Sequence, residues 1–153
     1  IQGVEAEATI APTAYLSLRL SYAYLDPKYK EWEAPSTASP GAMLDLSDTP
    51  FAYIPEHAGT AALLLNLPVG DANGELQFQL SYSARSAVYI NAFGTADQIR
   101  SLPADVFDTV YQRSFDLVDA NLTWANALGS NLDITAYVKN ATDERYAVGS
   151  ISQ

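Results

Sequence analysis

Strict alternation of apolar and polar side chains constrains this chain more than any other feature of its sequence. In the segment 131–139, Leu132, Ile134, Ala136 and Val138 alternate with Asn, Asp, Thr, Tyr and Lys. The same period of two recurs in five further segments, at residues 3–10, 16–24, 58–67, 75–85 and 118–124. Because successive side chains of a strand point to opposite faces, this period predicts six strands with two unlike faces.

The connections between the six predicted strands alternate between short and long. The short ones are residues 11–15, 68–74 and 125–131, and each contains a turn-forming proline or glycine. The long ones cover residues 26–57 and 90–113. This order is typical of an up-and-down antiparallel sheet with tight turns at one rim and large loops at the other.

Strand length and the chemistry of the faces favour a membrane barrel. Four segments reach the about 9–11 residues that a tilted membrane strand needs, whereas strands of soluble proteins most often have about 5–6. The segment 75–85 has an unbroken polar face, which suits a water-filled lumen, and aromatic residues lie near the strand ends of the apolar faces, as in interfacial girdles: Tyr22, Tyr24, Tyr82 and Trp124. We therefore expect the apolar faces to contact lipid and the polar faces to line an aqueous interior.

Charge and composition exclude several classes of function. The chain has 8 basic and 18 acidic side chains and a net charge of −10, which argues against nucleic-acid binding, since that requires a basic surface. It has no cysteine, which excludes disulfides, thiol nucleophiles and zinc–cysteine sites. The single histidine, His57, excludes a histidine-rich metal site, and the spacing of Asp45 and Asp48 does not match a known calcium loop.

The sequence contains no motif of an enzyme active site. It has neither a glycine-rich phosphate loop nor a serine in a G-x-S-x-G context. Asp143, Glu144 and Arg145 are adjacent, and adjacent side chains rarely converge on one substrate atom. We therefore predict neither an enzyme nor a bound cofactor or metal.

Candidate ligand contacts lie in the two long loops and on one polar face. Aromatic side chains in loops above a rigid scaffold commonly bind ligands, and the candidates are Trp32, Tyr53, Tyr89 and Phe93. The alternative is that these rings pack the loops or belong to the outer aromatic girdle. Arg85 lies on the predicted lumen face, where it could contact an anionic chelate or pair with carboxylates of the Glu75 type and with plug residues, and we favour the pairing.

Two stretches of the chain resemble TonB-dependent outer-membrane receptors. Residues 3–29, GVEAEATIAPTAYLSLRLSYAYLDPKY, resemble the glycine-acidic strand, the proline turn and the tyrosine-ended strand of that family. Residues 117–146, LVDANLTWANALGSNLDITAYVKNATDERY, are similar to its penultimate hairpin, where an Asn, an acidic residue and a Tyr follow the strand. The resemblance implies an all-β, antiparallel up-and-down transmembrane β-barrel, which in this family has 22 strands around an N-terminal plug.

The resemblance also implies which part of a receptor these residues form. Residues 1–153 would be a C-terminal portion with about six strands, and the plug, most of the barrel and the last strand would lie outside them. The short turns would be periplasmic and the long loops extracellular.

The function implied by the resemblance is TonB-energised uptake of a scarce nutrient, such as an iron–siderophore complex, across the outer membrane of a Gram-negative bacterium. The partners would be outer-membrane lipid, the small-molecule chelate, and the TonB complex through the missing N-terminal region, with no nucleic acid. Two alternatives stay open: a passive porin-type barrel of the outer membrane, and a soluble all-β ligand-binding module whose apolar faces form a sandwich core.

Overall fold

The computed structural model describes residues 1–36, 39, 41–70, 73–91 and 94–147. A 3-10 turn, Ala127–Gly129, precedes the last strand. The remaining elements within these residues are β1 (Gln2–Ile10), β2 (Leu16–Asp26), β3 (Glu33–Pro35), β4 (Met43–Asp45), β5 (His57–Pro68), β6 (Glu75–Arg85), β7 (Val88–Tyr89), α1 (Ala96–Arg100), α2 (Ala104–Val110), β8 (Tyr111–Gln112), β9 (Phe115–Ala125) and β10 (Ile134–Val138).

One antiparallel sheet dominates the structure. Its six strands follow the order β1-β2-β5-β6-β9-β10, so that each strand pairs with the next long strand of the chain. This arrangement confirms the predicted up-and-down antiparallel sheet. The first five of these strands have 9 to 12 residues each, so one more strand than predicted reaches the length needed to cross a bilayer.

The last strand is shorter than the sequence predicts. It begins at Ile134 rather than at residue 131, because the three preceding residues close the turn after β9. The backbone carbonyl of Leu132 accepts a hydrogen bond from the backbone nitrogen of Ala127 over 2.7 Å. The carboxylate of Asp133 accepts one from the backbone nitrogen of Asn126 over 2.8 Å. These groups therefore stabilise the turn instead of extending the strand.

The strand register collects all the apolar faces on one side of the sheet. Residues directly opposite each other in antiparallel strands share a face. One such row crosses five strands through Leu18, Leu63, Leu80, Ala120 and Val138. The neighbouring row, on the other face, runs through Arg19, Ala62, Ser81 and Asp119. The predicted segregation of the two faces is therefore confirmed.

The apolar face has no protein layer over it in the described part of the chain. Ile134 is 51% exposed, Leu122 44% and Leu80 38%. Packing a second sheet on this face would have buried these side chains. In the structure the second long loop spans residues 86–114. The buried apolar residues are few, and all but Ala127 belong to this loop: Val88, Ile90, Ile99, Val110 and Ala127. Leu18, Phe78 and Ile134 thus share an uncovered surface and form no dry core, which disfavours a soluble sandwich.

The long connections contain local structure that the period of two does not reveal. The first holds the hairpin β3–β4, and the second holds β7, two helices and β8. Thr95 begins α1 with a capping box, in which Gln98 and Thr95 each bond the other's backbone nitrogen. The two loops also meet, because the backbone nitrogen of Tyr53 donates to the carbonyl oxygen of Tyr89 over 2.8 Å. Among the described residues, no helix combines the length and the apolar character needed to span a membrane.

At the end of the sheet opposite the long loops, the short turn between β5 and β6 contacts the short turn that follows β9. The indole nitrogen of Trp124 donates a hydrogen bond to the backbone carbonyl of Asn73 over 2.8 Å. Gly74 has a φ of +87°, and a Cβ at this position would collide with the backbone oxygens of Ala125 and Asn126. Only glycine therefore fits at this turn, as expected for the Asn-Gly pair in the sequence.

Neighbouring substitutions on β6 separate the two faces. We predict that Leu80→Arg lowers the free energy of unfolding in lipid vesicles by about 2–4 kcal/mol, because the charge would face the middle of the bilayer. Gln79→Arg places the same side chain on the polar face and should change it by no more than about 0.5 kcal/mol. Urea unfolding of the two variants measures the difference, and equal effects would contradict the assignment of the faces.

Candidate ligand-binding site

A cavity of about 490 Å³ lies over the polar face of the sheet, at the end from which the long loops extend. Its floor is formed by three hydroxyl side chains that occupy one row of the sheet, Ser21, Thr60 and Ser83. The oxygens of Ser21 and Thr60 are hydrogen-bonded over 2.7 Å. Ala58 lies in the next row, where its small side chain leaves the space open.

Three separate segments form the walls of the cavity. Tyr53 comes from the first long loop, and Val88 and Ile90 come from the second. Tyr146 belongs to the segment that follows β10. Val88 and Ile90 are each only 4% exposed, and the backbone nitrogen of Ile90 donates to the carbonyl of Val110 in the same loop over 2.7 Å, so this wall belongs to a packed loop. The cavity therefore combines a rigid strand floor with side chains from both loops, an arrangement common in ligand sites.

A stack of three side chains forms one wall. Arg85 and Phe115 are directly opposite each other on β6 and β9. The guanidinium carbon of Arg85 lies 4.3 Å from the centre of the Phe115 ring, within cation–π distance. The ring of Tyr146 stacks on Phe115 at 4.3 Å and an interplanar angle of 14°.

Arg85 retains unused hydrogen-bonding capacity. Its Nε atom is buried and has no hydrogen-bond partner in the described part of the chain. The ion pairs among the described residues involve Lys28, Arg100 and Arg113 instead. Glu75 does not pair with Arg85, because the two residues lie at opposite ends of β6. Pairing of Arg85 with plug residues stays a prediction.

The turn after β10 places Tyr146 against Phe115. Asn140 adopts a φ of +49°, which Asn tolerates better than most residues. Its side-chain amide donates to the carbonyl of Glu144 and accepts from the nitrogen of Glu144, both over 2.9 Å. The backbone nitrogen of Ala147 then donates to Oε1 of Gln112 over 2.6 Å. The Asn, the acidic residue and the Tyr of the sequence motif thus form one local structure.

The structure brings together two of the candidate ligand contacts. Tyr53 and Arg85 both line the cavity. Tyr89 does not line it, and its ring packs edge-on against Tyr111 at 5.2 Å. Trp32 lies in the first loop, 4.7 Å from the ring of Tyr29, and lines a separate cavity of about 440 Å³ in that loop. Phe93 lies outside the described residues.

Sequence reasoning missed Phe115 and Tyr146 as cavity residues. The fifth predicted strand begins at residue 118, but β9 begins at Phe115. Extending the period of two backwards from Asp119 would have placed Phe115 and Leu117 on the polar face. The sequence marked Tyr146 only as the end of the motif that follows the last strand. No neighbouring residue indicated that this segment would fold back onto β9.

Two of the three residues considered as metal ligands, His57 and Asp45, form side-chain hydrogen bonds within the protein. His57 lies on the apolar face, with Nδ1 2.8 Å from the hydroxyl of Tyr22. The carboxylate of Asp45 accepts hydrogen bonds from the hydroxyl and the backbone nitrogen of Ser47, which lower its pKa. Across the described ranges, no three side chains of metal-ligand type converge.

The Asn140 turn can be tested by hydrogen exchange. Asn140→Ala removes both amide hydrogen bonds, each of which contributes about 1 kcal/mol. We predict that the amides of Glu144 and Ala147 then exchange about tenfold faster or more. Asn140→Asp keeps the acceptor and loses the donor, so its exchange rates should lie between those of the parent and the alanine variant. Unchanged exchange in Asn140→Ala would show that another interaction positions Tyr146.

Comparison with known proteins agrees with this geometry. Residues 1–141 match the protein family described as TonB dependent receptor-like, beta-barrel. Searches of curated proteins and of solved structures gave no significant match. The family match covers far more than half of the chain and confirms the resemblance seen in the two terminal stretches. The chain therefore belongs to the β-barrel family of TonB-dependent receptors, a family of transporters in the outer membrane of Gram-negative bacteria rather than of enzymes.

Proposed function

We propose that the protein takes up an iron–siderophore complex in a process energised by TonB, and that the loop-lined cavity receives this substrate. The observation that supports this proposal best is the position of the cavity. It lies over the polar face, where both long loops and the segment after β10 meet. A substrate that approaches from the long-loop side would reach this cavity before the rest of the polar surface.

The orientation of the sheet follows from the same proposal. The long loops face the cell exterior, and the short turns face the periplasm. β2, β6 and β10 then run outward, and the polar rows of these strands line the path below the cavity. The exposed apolar rows contact outer-membrane lipid, which is the partner that their side chains require.

We further propose that these residues form the C-terminal part of a larger closed barrel. β1 and β10 each pair on one side only within the described residues. Unpaired backbone groups in hydrocarbon cost several kcal/mol each, so membrane-spanning sheets close on themselves. Further strands of the same protein would pair with both edges, and a region N-terminal to these residues would contact TonB.

The packing of the second long loop favours gated uptake over passive diffusion. A porin needs a water-filled opening that stays accessible. Here Val88 and Ile90 are buried over the polar face, and Tyr53 and Tyr146 stand beside them. Cavity walls at the loop end of the polar face suit a site that binds its substrate.

Filling the cavity tests its role in uptake. We predict that Ala58→Phe reduces uptake of the iron chelate by about tenfold or more, because the ring would occupy space that the substrate needs, and tenfold weaker binding corresponds to about 1.4 kcal/mol. Ala61→Phe is the matched control, since Ala61 lies three residues away on β5 but on the apolar face, opposite Leu20 and Tyr82. Uptake of radioactive iron by iron-limited cells measures the effect.

Equal uptake by the two variants would contradict the proposal. If Ala58→Phe and Ala61→Phe reach the outer membrane in equal amounts and support equal uptake, the cavity is not on the substrate path. Deleting TonB should abolish uptake through the parent protein, and uptake that persists without TonB would instead indicate a passive channel.

A further inference from the structure

We infer that Asn73 is a modification site, at which the side chain cyclises onto the backbone nitrogen of Gly74 and then hydrolyses to isoaspartate or aspartate, and that Trp124 promotes this reaction. The site lies in a short turn, at the end of the sheet opposite the candidate ligand-binding site. The co-reactant is water. The inference does not depend on the proposed function.

The sequence offers one position that suits this reaction. Among the asparagines of the chain, only Asn73 is followed by glycine. Glycine has no Cβ, so its backbone nitrogen can approach the amide carbon of the preceding side chain without hindrance. The turn itself requires this residue, because a Cβ at Gly74 would collide with the backbone oxygens of Ala125 and Asn126. The fold therefore keeps in place the glycine that makes Asn73 reactive.

The reaction joins the backbone nitrogen of Gly74 to the side-chain carbon Cγ of Asn73. A hydroxide ion first removes the proton from the nitrogen, which then bonds to Cγ. The bond from Cγ to Nδ2 breaks, the departing nitrogen takes up a proton from water, and ammonia leaves a cyclic imide behind. Water then opens the imide. Opening at the main-chain carbonyl carbon gives isoaspartate, and opening at the side-chain carbonyl carbon gives aspartate.

Trp124 acts on the peptide group that attacks. Its indole nitrogen donates a hydrogen bond to the backbone carbonyl of Asn73 over 2.8 Å, and this carbonyl shares a peptide group with the nitrogen of Gly74. When that nitrogen loses its proton, amide resonance places part of the negative charge on the carbonyl oxygen. A hydrogen bond to a charged oxygen is roughly twice as strong as one to a neutral oxygen. The indole therefore stabilises the reactive anion more than the resting peptide.

The pairing of the strands holds the indole in this position. Trp124 is directly opposite Leu76 on β6, close to the turn. The backbone nitrogen of Val69 donates to the carbonyl of Gly74 over 2.9 Å and closes the turn. Asn73 itself is exposed, so hydroxide and water can reach its amide and ammonia can leave.

The neighbouring turn supplies an internal control. Asn126 is followed by Ala127, whose backbone nitrogen donates to the carbonyl of Leu132 over 2.7 Å. This hydrogen bond holds the proton that would have to leave, and the Cβ of alanine hinders the approach of the nitrogen. We therefore expect Asn126 to stay unmodified while the protein is folded.

Modification would weaken the contact between the two short turns. Isoaspartate lengthens the main chain and puts a carboxylate in place of the carbonyl that Trp124 binds. This negative charge would lie near the backbone oxygens of Ala125 and Asn126, which pack against Gly74. Oxygens of like charge repel each other, so we expect the modified turn to move away from the turn after β9.

Ageing of the purified full-length receptor in detergent at mildly alkaline pH tests the inference. Peptide mass spectrometry follows the conversion of amide to carboxylate at each asparagine, and electron-transfer fragmentation separates isoaspartate from aspartate. We expect both products at Asn73. In Trp124→Phe the conversion should be about fivefold to tenfold slower, because the bond to the anion is lost. Heat-dependent migration in gels verifies that each variant barrel is folded.

Two controls assign the effect to the indole of Trp124. Trp32→Phe should leave the rate at Asn73 unchanged, because Trp32 lies in the first long loop, next to Tyr29. In urea, the parent and Trp124→Phe should react at equal rates, since the indole no longer contacts the turn.

The possible outcomes decide the inference in either direction. An Asn73 that stays intact would overturn it. So would a folded Trp124→Phe that reacts as fast as the parent or faster, since the hydrogen bond would then only restrain the turn. If Trp124→Phe does not fold, the parent alone decides. A rate in the folded parent equal to or above its rate in urea supports the inference, and a lower rate contradicts it.

Discussion

The cross-strand register is the constraint on which the rest of this structure depends. Because the side-chain period of a strand is two, a shift of one residue in any pairing would move a whole strand's apolar side chains to the opposite face. The observed register avoids this in every pairing, as the row from Leu18 to Val138 shows. The result is one sheet with an apolar face and a polar face, in place of a sheet around a protein core. The environment that such a sheet needs is lipid on one side and water on the other.

The same register builds the candidate site. Arg85 can lie over Phe115 because the two residues are directly opposite each other at the ends of β6 and β9. The hydroxyl floor likewise comes from residues that are neighbours across strands rather than along the chain. The loops contribute only the upper walls.

The strands and their faces could be predicted from the sequence because the information is local. An alternation such as Glu75 to Arg85 can be read without knowledge of its neighbours, and it gave the correct element and the correct face. The start of β10 could not be predicted, because Leu132 and Asp133 are committed to a turn by bonds to residues at least five positions earlier. Helix α1 escaped prediction since it has only five residues, too few for a helical period to show.

Only some residues of the candidate site could be predicted, because the others reach the cavity through contacts between distant parts of the chain. Two cavity residues could be recognised from their own segments. Arg85 continues the polar face of its strand, and Tyr53 is an aromatic residue in a long loop. Tyr146 reaches Phe115 only after the Asn140 turn reverses the chain, so its role depends on a contact between residues 31 positions apart. Trp32 carried the same signal as Tyr53, and the structure shows it packed against Tyr29 within its own loop. An aromatic residue in a long loop therefore does not indicate by itself which cavity or neighbour its ring will contact.

Spin labels placed one at a time along β6 test the central claim most directly, since the chain contains no cysteine that would compete for the label. Each labelled receptor would be reconstituted in lipid vesicles, and the accessibility of the label to oxygen and to a water-soluble nickel chelate would be measured. The two-faced sheet predicts that oxygen accessibility peaks at Leu76, Phe78, Leu80 and Tyr82, and that nickel accessibility peaks at the residues between them. Accessibility that does not alternate, or that alternates in the opposite phase, would contradict the placement of the apolar face against lipid.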